Sequence, residues 1–357
     1  MTLKNKLVVS ASPHDRSPRT VRSLMLDVII ALIPALIASV IFYGPRALLI
    51  ECVSVATCVI FEYITRIVFK RSQSIGDLSA VITGLLLAFN LPVSIPLWMV
   101  VIGSLVAIVV VKQFFGGIGQ NFVNPALAGR IVLLTSFPVA MSTWTQPLTW
   151  TMSKLDGITS ASPLSSIHEM TSGGAAPDVS LVEMLIGWRA GCLGETCAVA
   201  LLLGGIYLVV RKVISPTIPL TYIGTVAVIM LIAGKGDFRF VAYELLGGGL
   251  MLGAIFMATD YTTSPITFKG KIIFGIGCGL TEATAANFAK VADDATPSDK
   301  MLGIVNLVLQ SIGTMSVLAC KCCGTDTVVL TGALTMLPPA KETFELFKQL
   351  YGVDFII

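Results

Sequence analysis

Apolar segments long enough to cross a bilayer recur along this chain, and no other feature restricts its folds so sharply. Runs near Leu24–Phe42, Ala47–Phe69, Ile95–Val111, Ala126–Met141, Thr196–Val210, Pro219–Ala233, Val241–Met257, Ile272–Ala286 and Ile304–Ala319 read as spans. A shorter run, Ser79–Leu91, is cut off by Pro92 and Pro96. In hydrocarbon a backbone N–H or C=O has no water to turn to, so spanning segments must be helices or closed barrels. Segments near twenty residues match the length of a membrane-spanning helix. Only 13% of the residues are charged, against about 25% in an ordinary soluble domain. The expected fold is therefore all-α and polytopic, with about ten transmembrane elements.

Basic residues predict how the chain threads. Lys4, Lys6, Arg16, Arg19 and Arg22 place the N-terminus in the cytoplasm, and the stretch Met1–Thr20 has no apolar run of the kind that marks a cleavable signal. Lys70 and Arg71, then Lys112, then Arg211 and Lys212, then Lys269 and Lys271 return to the same side. The pattern holds only if Ser142–Asp178 faces the periplasm or exterior. The expected organisation is a cytoplasmic segment 1–23, a first membrane half 24–141, an external loop 142–178, a second membrane half 179–320 and a tail 321–357. No basic stripe is interleaved with aromatics, so nucleic acid is not an expected partner.

Two regions resemble each other. Gly84 to Pro92 (G-L-L-L-A-F-N-L-P) and Gly253 to Asp260 (G-A-I-F-M-A-T-D), continuing to Pro265, are apolar Gly-containing helices that end in a polar, Pro-containing break. Paired interrupted segments point to an inverted repeat around a central site; shared membrane composition is the plainer explanation.

The longest polar interval carries Asp156-Gly157-Ile158-Thr159-Ser160-Ala161-Ser162-Pro163-Leu164. Hydroxyl side chains can form phosphoesters, and here they crowd together; alone, such a cluster reads as a turn. Gly116-Gly117-Ile118-Gly119-Gln120-Asn121-Phe122-Val123-Asn124-Pro125 is either a capped helix start, with Asn124 as cap and Pro125 in the first turn, or a site where Asn121 and Asn124 meet the edge of a flat ligand. Asp77 reads as a cap before Ser79, while Glu195 and Asp260 border apolar helices. Ionisable groups at membrane depth are costly and mark functional sites, so Asp77, Glu195 and Asp260 are ion-pathway candidates. Glu51 and Glu62 are expected to pair with Arg66 or to sit near an interface. His14 and His168 have no partner at triad spacing. Five cysteines read as small core residues, and Cys320, Cys322 and Cys323 lack the further ligands a metal centre needs.

Four blocks together carry a family resemblance: Asp77–Leu86, Gly116–Ala126, the D-G-I-T-S-A-S-P-L stretch, and Gly253–Asp260 with Thr263-Ser264-Pro265. In order and content they resemble the RnfD/NqrB family of ion-pumping electron-transfer complexes. Ser12-Pro13-His14 and the Pro-Leu after the hydroxyl motif are more similar to RnfD. The resemblance covers Ser12 to about Gly279 and implies a bacterial inner-membrane location. It implies FMN joined through its phosphate to an external hydroxyl, where Ser162 stands in place of the family's threonine; Ser160 and Thr159 are fallback acceptors, with Asp156 beside them. It places Asn121 and Asn124 near a second, noncovalent flavin such as riboflavin. It further implies partner membrane and peripheral subunits that pass electrons between ferredoxin and NAD, coupled to Na+ or H+ movement. The chain itself has no Gly-rich βαβ signature, so it would be one link rather than a catalyst alone. No functional residue is carried past Asp260. A secondary transporter or channel for a small solute, and a scaffold that has lost its cofactor, are the other readings.

Overall fold

A computed structural model describes residues 19–121, 123–148, 179–288, 327–329 and 338–356. The elements run α1 (Val21–Tyr43), α2 (Pro45–Val68), α3 (Ser79–Phe89), α4 (Leu97–Leu105, continuing as a π-helix over Val106–Gln113), α5 (Pro125–Ser136) and α6 (Pro138–Met141). After the external interval come α7 (Leu181–Ile186), α8 (Ala198–Val210), α9 (Thr217–Ala233), α10 (Phe238–Leu246), α11 (Leu250–Leu252, continuing as a π-helix over Gly253–Met257) and α12 (Phe268–Phe288). The tail forms β1 (Thr327–Val329), α13 (Pro338–Tyr351) and β2 (Asp354–Ile356).

The burial pattern of α1 is that of a helix in lipid. Its inward face is Asp27, Ala31, Ala35 and Ser39, at intervals of one turn, whereas Ile30, Ile33, Ile37 and Ile41 are 40–55% exposed. Large aliphatic residues outside and small or polar ones inside invert the soluble pattern, and hydrocarbon around the helix explains it. α2 repeats the arrangement, with Glu51, Ser54, Cys58 and Glu62 inward and Leu48, Leu49, Ile60 and Ile64 outward.

Among the described residues α1 and α2 are each long and apolar enough to cross a membrane, and α10 with α11 qualifies only as a pair bent by 68°. α3, α4, α5, α8 and α9 are shorter apolar helices. Helices stand at each of the nine expected positions that are described, α12 among them, though only α1, α2 and the bent pair pass that length test, and Ile304–Ala319 lies outside the described residues. Two expected spans divide. Val241–Met257 bends at Gly247–Gly249, because a run of three glycines weakens helix there. The expected break after Met257 is present as well, since the next helix starts only at Phe268. The expected span Ala126–Met141 divides at Phe137, where Pro138 cannot donate to the preceding turn and instead opens α6.

The all-α expectation is corrected in the tail. β1 and β2 pair in parallel, Thr327 opposite Asp354 and Val329 opposite Ile356. β-Branched and aromatic residues favour that pleated pairing. Val353 is buried, and Phe344 of α13 stacks on Phe355 at 5.0 Å between ring centroids.

Close helix approach depends on small residues, since in lipid packing rather than hydrophobic exclusion holds helices together. Ser54 Oγ donates to the Gly84 carbonyl at 2.7 Å, drawing α2 onto α3. A Cβ at Gly84 would lie 2.7 Å from Val55 Cα and 3.0 Å from the Ser54 carbonyl oxygen, both rigid backbone atoms. Gly84→Ala is expected to cost about 1–3 kcal/mol of stability, read as a lower unfolding midpoint in detergent. Gly224→Ala in α9, where a Cβ meets nothing within 4 Å, should leave that midpoint unchanged or raised.

Candidate functional site

Two buried polar regions lie at the two ends of α3. At its C-terminal end the helix stops inside the protein, at Phe89, with Asn90 and Leu91 buried. Carbonyls released there must be satisfied by other protein groups. Gly194 N donates to Phe89 O and Leu193 N to Leu91 O, each at 3.0 Å. Gly194 is obligatory at this contact, because a Cβ would sit 2.2 Å from the Phe89 ring. Arg189, 4% exposed, holds the same loop by donating to the carbonyls of Glu195 (2.6 Å), Thr196 (3.4 Å) and Gly248 (3.2 Å). Tyr43 donates to the Arg189 and Gly191 carbonyls, each at 3.3 Å. Arg130 donates to Asn90 Oδ1 at 2.8 Å.

Glu195 belongs to this region, where its Oε1 accepts from Cys192 N at 2.9 Å. The bend between α10 and α11 comes to the same place, since a Cβ at Gly249 would lie 3.0 Å from Glu195 Oε2. The end of α3 and the second broken segment therefore meet around one buried carboxylate.

At the N-terminal end of α3 lies a cavity of about 280 Å³, with α1, α3, the Lys112 π-turn, the Gly116–Pro125 connection and the Phe256–Thr262 segment as its walls. Val21, Leu24, Met25, Ile82 and Phe256 give it apolar faces; Ser79, Thr83, Lys112, Asn121, Asn124 and Asp260 give it polar ones. Among the described residues both π-helical turns contribute a residue, Lys112 and Phe256, and such turns gather at functional sites. Asn121 and Asn124 therefore face one cavity. Asn121 Nδ2 donates to Val123 O at 3.0 Å, and its amide neighbours the Asp260 carboxyl. Asn124 caps α5, its Oδ1 accepting from Ala126 N at 3.0 Å and Leu127 N at 3.4 Å. Its capping role and its place on the cavity wall thus hold together.

Behind the wall is a buried ion pair. Lys112 Nζ lies 2.7 Å from Glu62 Oε2 and 2.6 Å from Ser79 Oγ, with Lys112 3% and Glu62 0% exposed. Ser74 donates to the other Glu62 oxygen. The cap position of α3 falls on Leu78, and Asp77 before it accepts from Ser79 N at 2.8 Å and from the Ser79 hydroxyl. Glu51 accepts from Ser39 Oγ at 2.5 Å. The expected pairing of Glu51 or Glu62 with Arg66 is corrected: Arg66 instead donates to Ser72 O at 3.2 Å.

The three ion-pathway candidates are not brought together. Asp77 and Glu195 stand at opposite ends of α3, about 16 Å apart along an eleven-residue helix, and Asp260 faces the cavity. Asp156, Thr159, Ser160 and Ser162 lie outside the described residues.

Sequence comparison matches the NQR2, RnfD, RnfE family over residues 8–297. The chain belongs to that family. The match continues past Gly279 into the polar stretch after Thr281, further than the sequence blocks alone reach. Relatives include the D subunit of the Na(+)-translocating ferredoxin:NAD(+) oxidoreductase complex of Acetobacterium woodii, 45% identical over 77% of this chain and 83% of the relative. The D subunit of the proton-translocating ferredoxin:NAD(+) oxidoreductase complex of Clostridium ljungdahlii is 40% identical over 77% of this chain and 85% of its own. The D subunit of the ion-translocating oxidoreductase complex of Rhodobacter capsulatus is 38% identical over 75% and 82%.

Sequence reasoning missed Lys112, Arg130 and Arg189 in this family member. Lys112 reads as a loop charge that marks a side of the membrane, yet it is buried and paired. Arg130 was legible as a cation inside an apolar run, the same signal that singled out Glu195. Lys112→Met leaves Glu62 buried without its counter-charge and is expected to cost about 3–5 kcal/mol. Lys112→Met with Glu62→Gln removes both charges and should recover most of that loss, measured by thermal unfolding in detergent.

Proposed function

We propose that this chain is the RnfD component of an ion-translocating ferredoxin:NAD oxidoreductase complex, a multi-pass inner-membrane flavoprotein that carries electrons and does not catalyse alone. The coupling ion is Na+ or H+, and the partners are the other membrane and peripheral subunits of such a complex. The observation that carries the flavin reading is the cavity itself. Two asparagines from one connection, and hydroxyls from α3 and from Thr259 and Thr262, surround a mainly apolar space of about 280 Å³. A flat ring with donor and acceptor groups on one edge fits such a space, because its faces find aliphatic walls and its edge finds amides and hydroxyls. A flavin bound there would supply stepwise electron transfer; the protein supplies position and local charge.

In this reading the noncovalent flavin lies at the end of the bundle that carries Val21 and the start of α3, the cytoplasmic end by the distribution of basic residues. The interval 142–178 leaves from the other end, where Leu148 N donates to Phe42 O at 2.6 Å and Ser94 Oγ to Thr143 O at 2.9 Å. FMN phosphoester-linked to Ser162 there, beside Asp156, Thr159 and Ser160, sets the second flavin on the periplasmic or external face. Serine carries the same nucleophilic oxygen as the family's threonine. Asp77, Glu195 and Asp260 would serve the ion: Asp77 at the cytoplasmic mouth of α3, Asp260 on the cavity wall and Glu195 where the broken segments meet.

Peptide mapping of the chain, purified from cells that contain a flavin transferase, is expected to find FMN on the peptide containing Ser162. Modification at Ser160 or Thr159 would move the site within the motif. A chain carrying no flavin on that peptide would overturn the covalent assignment.

A further inference from the structure

The buried ion pair between Lys112 and Glu62 is directional and turns a fixed cation toward the cavity. Lys112 is on the cavity wall, whereas Glu62 stands behind it on α2. The ammonium is held by Glu62 Oε2 at 2.7 Å and Ser79 Oγ at 2.6 Å, so a helix side chain that would otherwise be free to swing is locked in place. The cavity lining also includes Asp260, whose carboxyl lies beside Asn121. Ser79, Thr83, Asn121 and Asn124 add no net charge. The cavity lining thus carries one lysine and one aspartate inside an apolar surround, where charge is poorly screened.

Burial of this pair is costly, and replacing such pairs with apolar residues often stabilises a protein. A π-turn, itself less favourable than regular helix, puts Lys112 in place. Both costs have a purpose if the cavity periodically holds negative charge.

The geometry points to Lys112 as the residue that sets the redox potential of a flavin in this cavity, with Glu62 and Ser79 as its positioning residues. The inference rests on the flavin reading of the cavity. Two electrons and one proton added to a neutral isoalloxazine leave one negative charge on its pyrimidine side. That edge belongs beside Lys112. The ammonium then stabilises the reduced ring more than the oxidised ring, which raises the potential.

The test uses the full chain, purified in detergent from cells without flavin transferase, with riboflavin as the probe and an electrode as the electron source. Riboflavin binding is first read from the loss of its fluorescence. The potential of the bound flavin is then read from its absorbance at fixed pH. In Lys112→Met/Glu62→Gln, which buries no uncompensated charge, the preference for the reduced over the oxidised flavin should fall at least tenfold. For a two-electron couple that is a drop of about 30 mV. Lys112→Arg keeps the charge and should stay within about threefold of the parent, less than half that shift. If the double variant binds riboflavin at an unchanged potential, or if Lys112→Arg falls as far as the double variant, the role of Lys112 is overturned and the flavin site stands. If the parent chain does not bind riboflavin, the site itself is overturned and the role of Lys112 with it.

Discussion

A helix that ends inside a membrane leaves carbonyl groups with no water to accept, and the fold of this chain is organised around meeting that demand at the end of α3. Two backbone N–H groups from the Cys192–Glu195 loop reach Phe89 and Leu91, and Arg189 fastens the loop through three carbonyls. Each unsatisfied group in hydrocarbon would cost several kcal/mol. This closure brings the second membrane half against the first. It also fixes Gly194 against Phe89 and gathers Glu195, Asn90 and Arg130 in one place.

The opposite end of α3 is the start of the proposed flavin cavity. One short helix therefore spans the distance between that proposed site and a buried carboxylate, and its two ends differ in character. The cavity end is amphipathic, with apolar walls and a fixed cation. The inner end is a lattice of backbone acceptors and arginine donors with one carboxylate inside it. Rigid elements joining two charged sites are the kind of structure through which a change of charge at one can bias the other. The physical route here is α3 itself together with the π-turns, whose looser hydrogen bonding gives helices a place to adjust.

Much of this was legible in the sequence. Asn124 before Pro125 announced a cap, and it is one. Asp77 two residues before Ser79 announced another; the cap falls on Leu78 instead, with the Asp77 carboxylate accepting from Ser79 N just beyond it. The first interruption, after Phe89, followed from Pro92 and Pro96. Tertiary partners were not legible. Glu62 meets Lys112 rather than Arg66 because the π-turn rotates Lys112 inward, and no periodicity in the sequence signals that turn. The break carrying Thr259-Asp260 and Pro265 was legible too, since no helix runs between Met257 and Phe268, whereas the additional bend at Gly247-Gly248-Gly249 was not. The strands of the tail were missed because three-residue strands leave almost no pattern.

The proposed arrangement would hold two flavins in two different ways, at opposite ends of a bundle built on α3. Acid precipitation of the purified chain separates them, since a phosphoester-linked flavin stays with the pellet and a cavity-bound flavin is released to the supernatant. Flavin is expected in both fractions in equal amounts, with the supernatant flavin lost on replacing Asn121 and Asn124 together by leucine. Flavin in neither fraction, or a supernatant flavin indifferent to those two asparagines, would contradict the two-flavin arrangement.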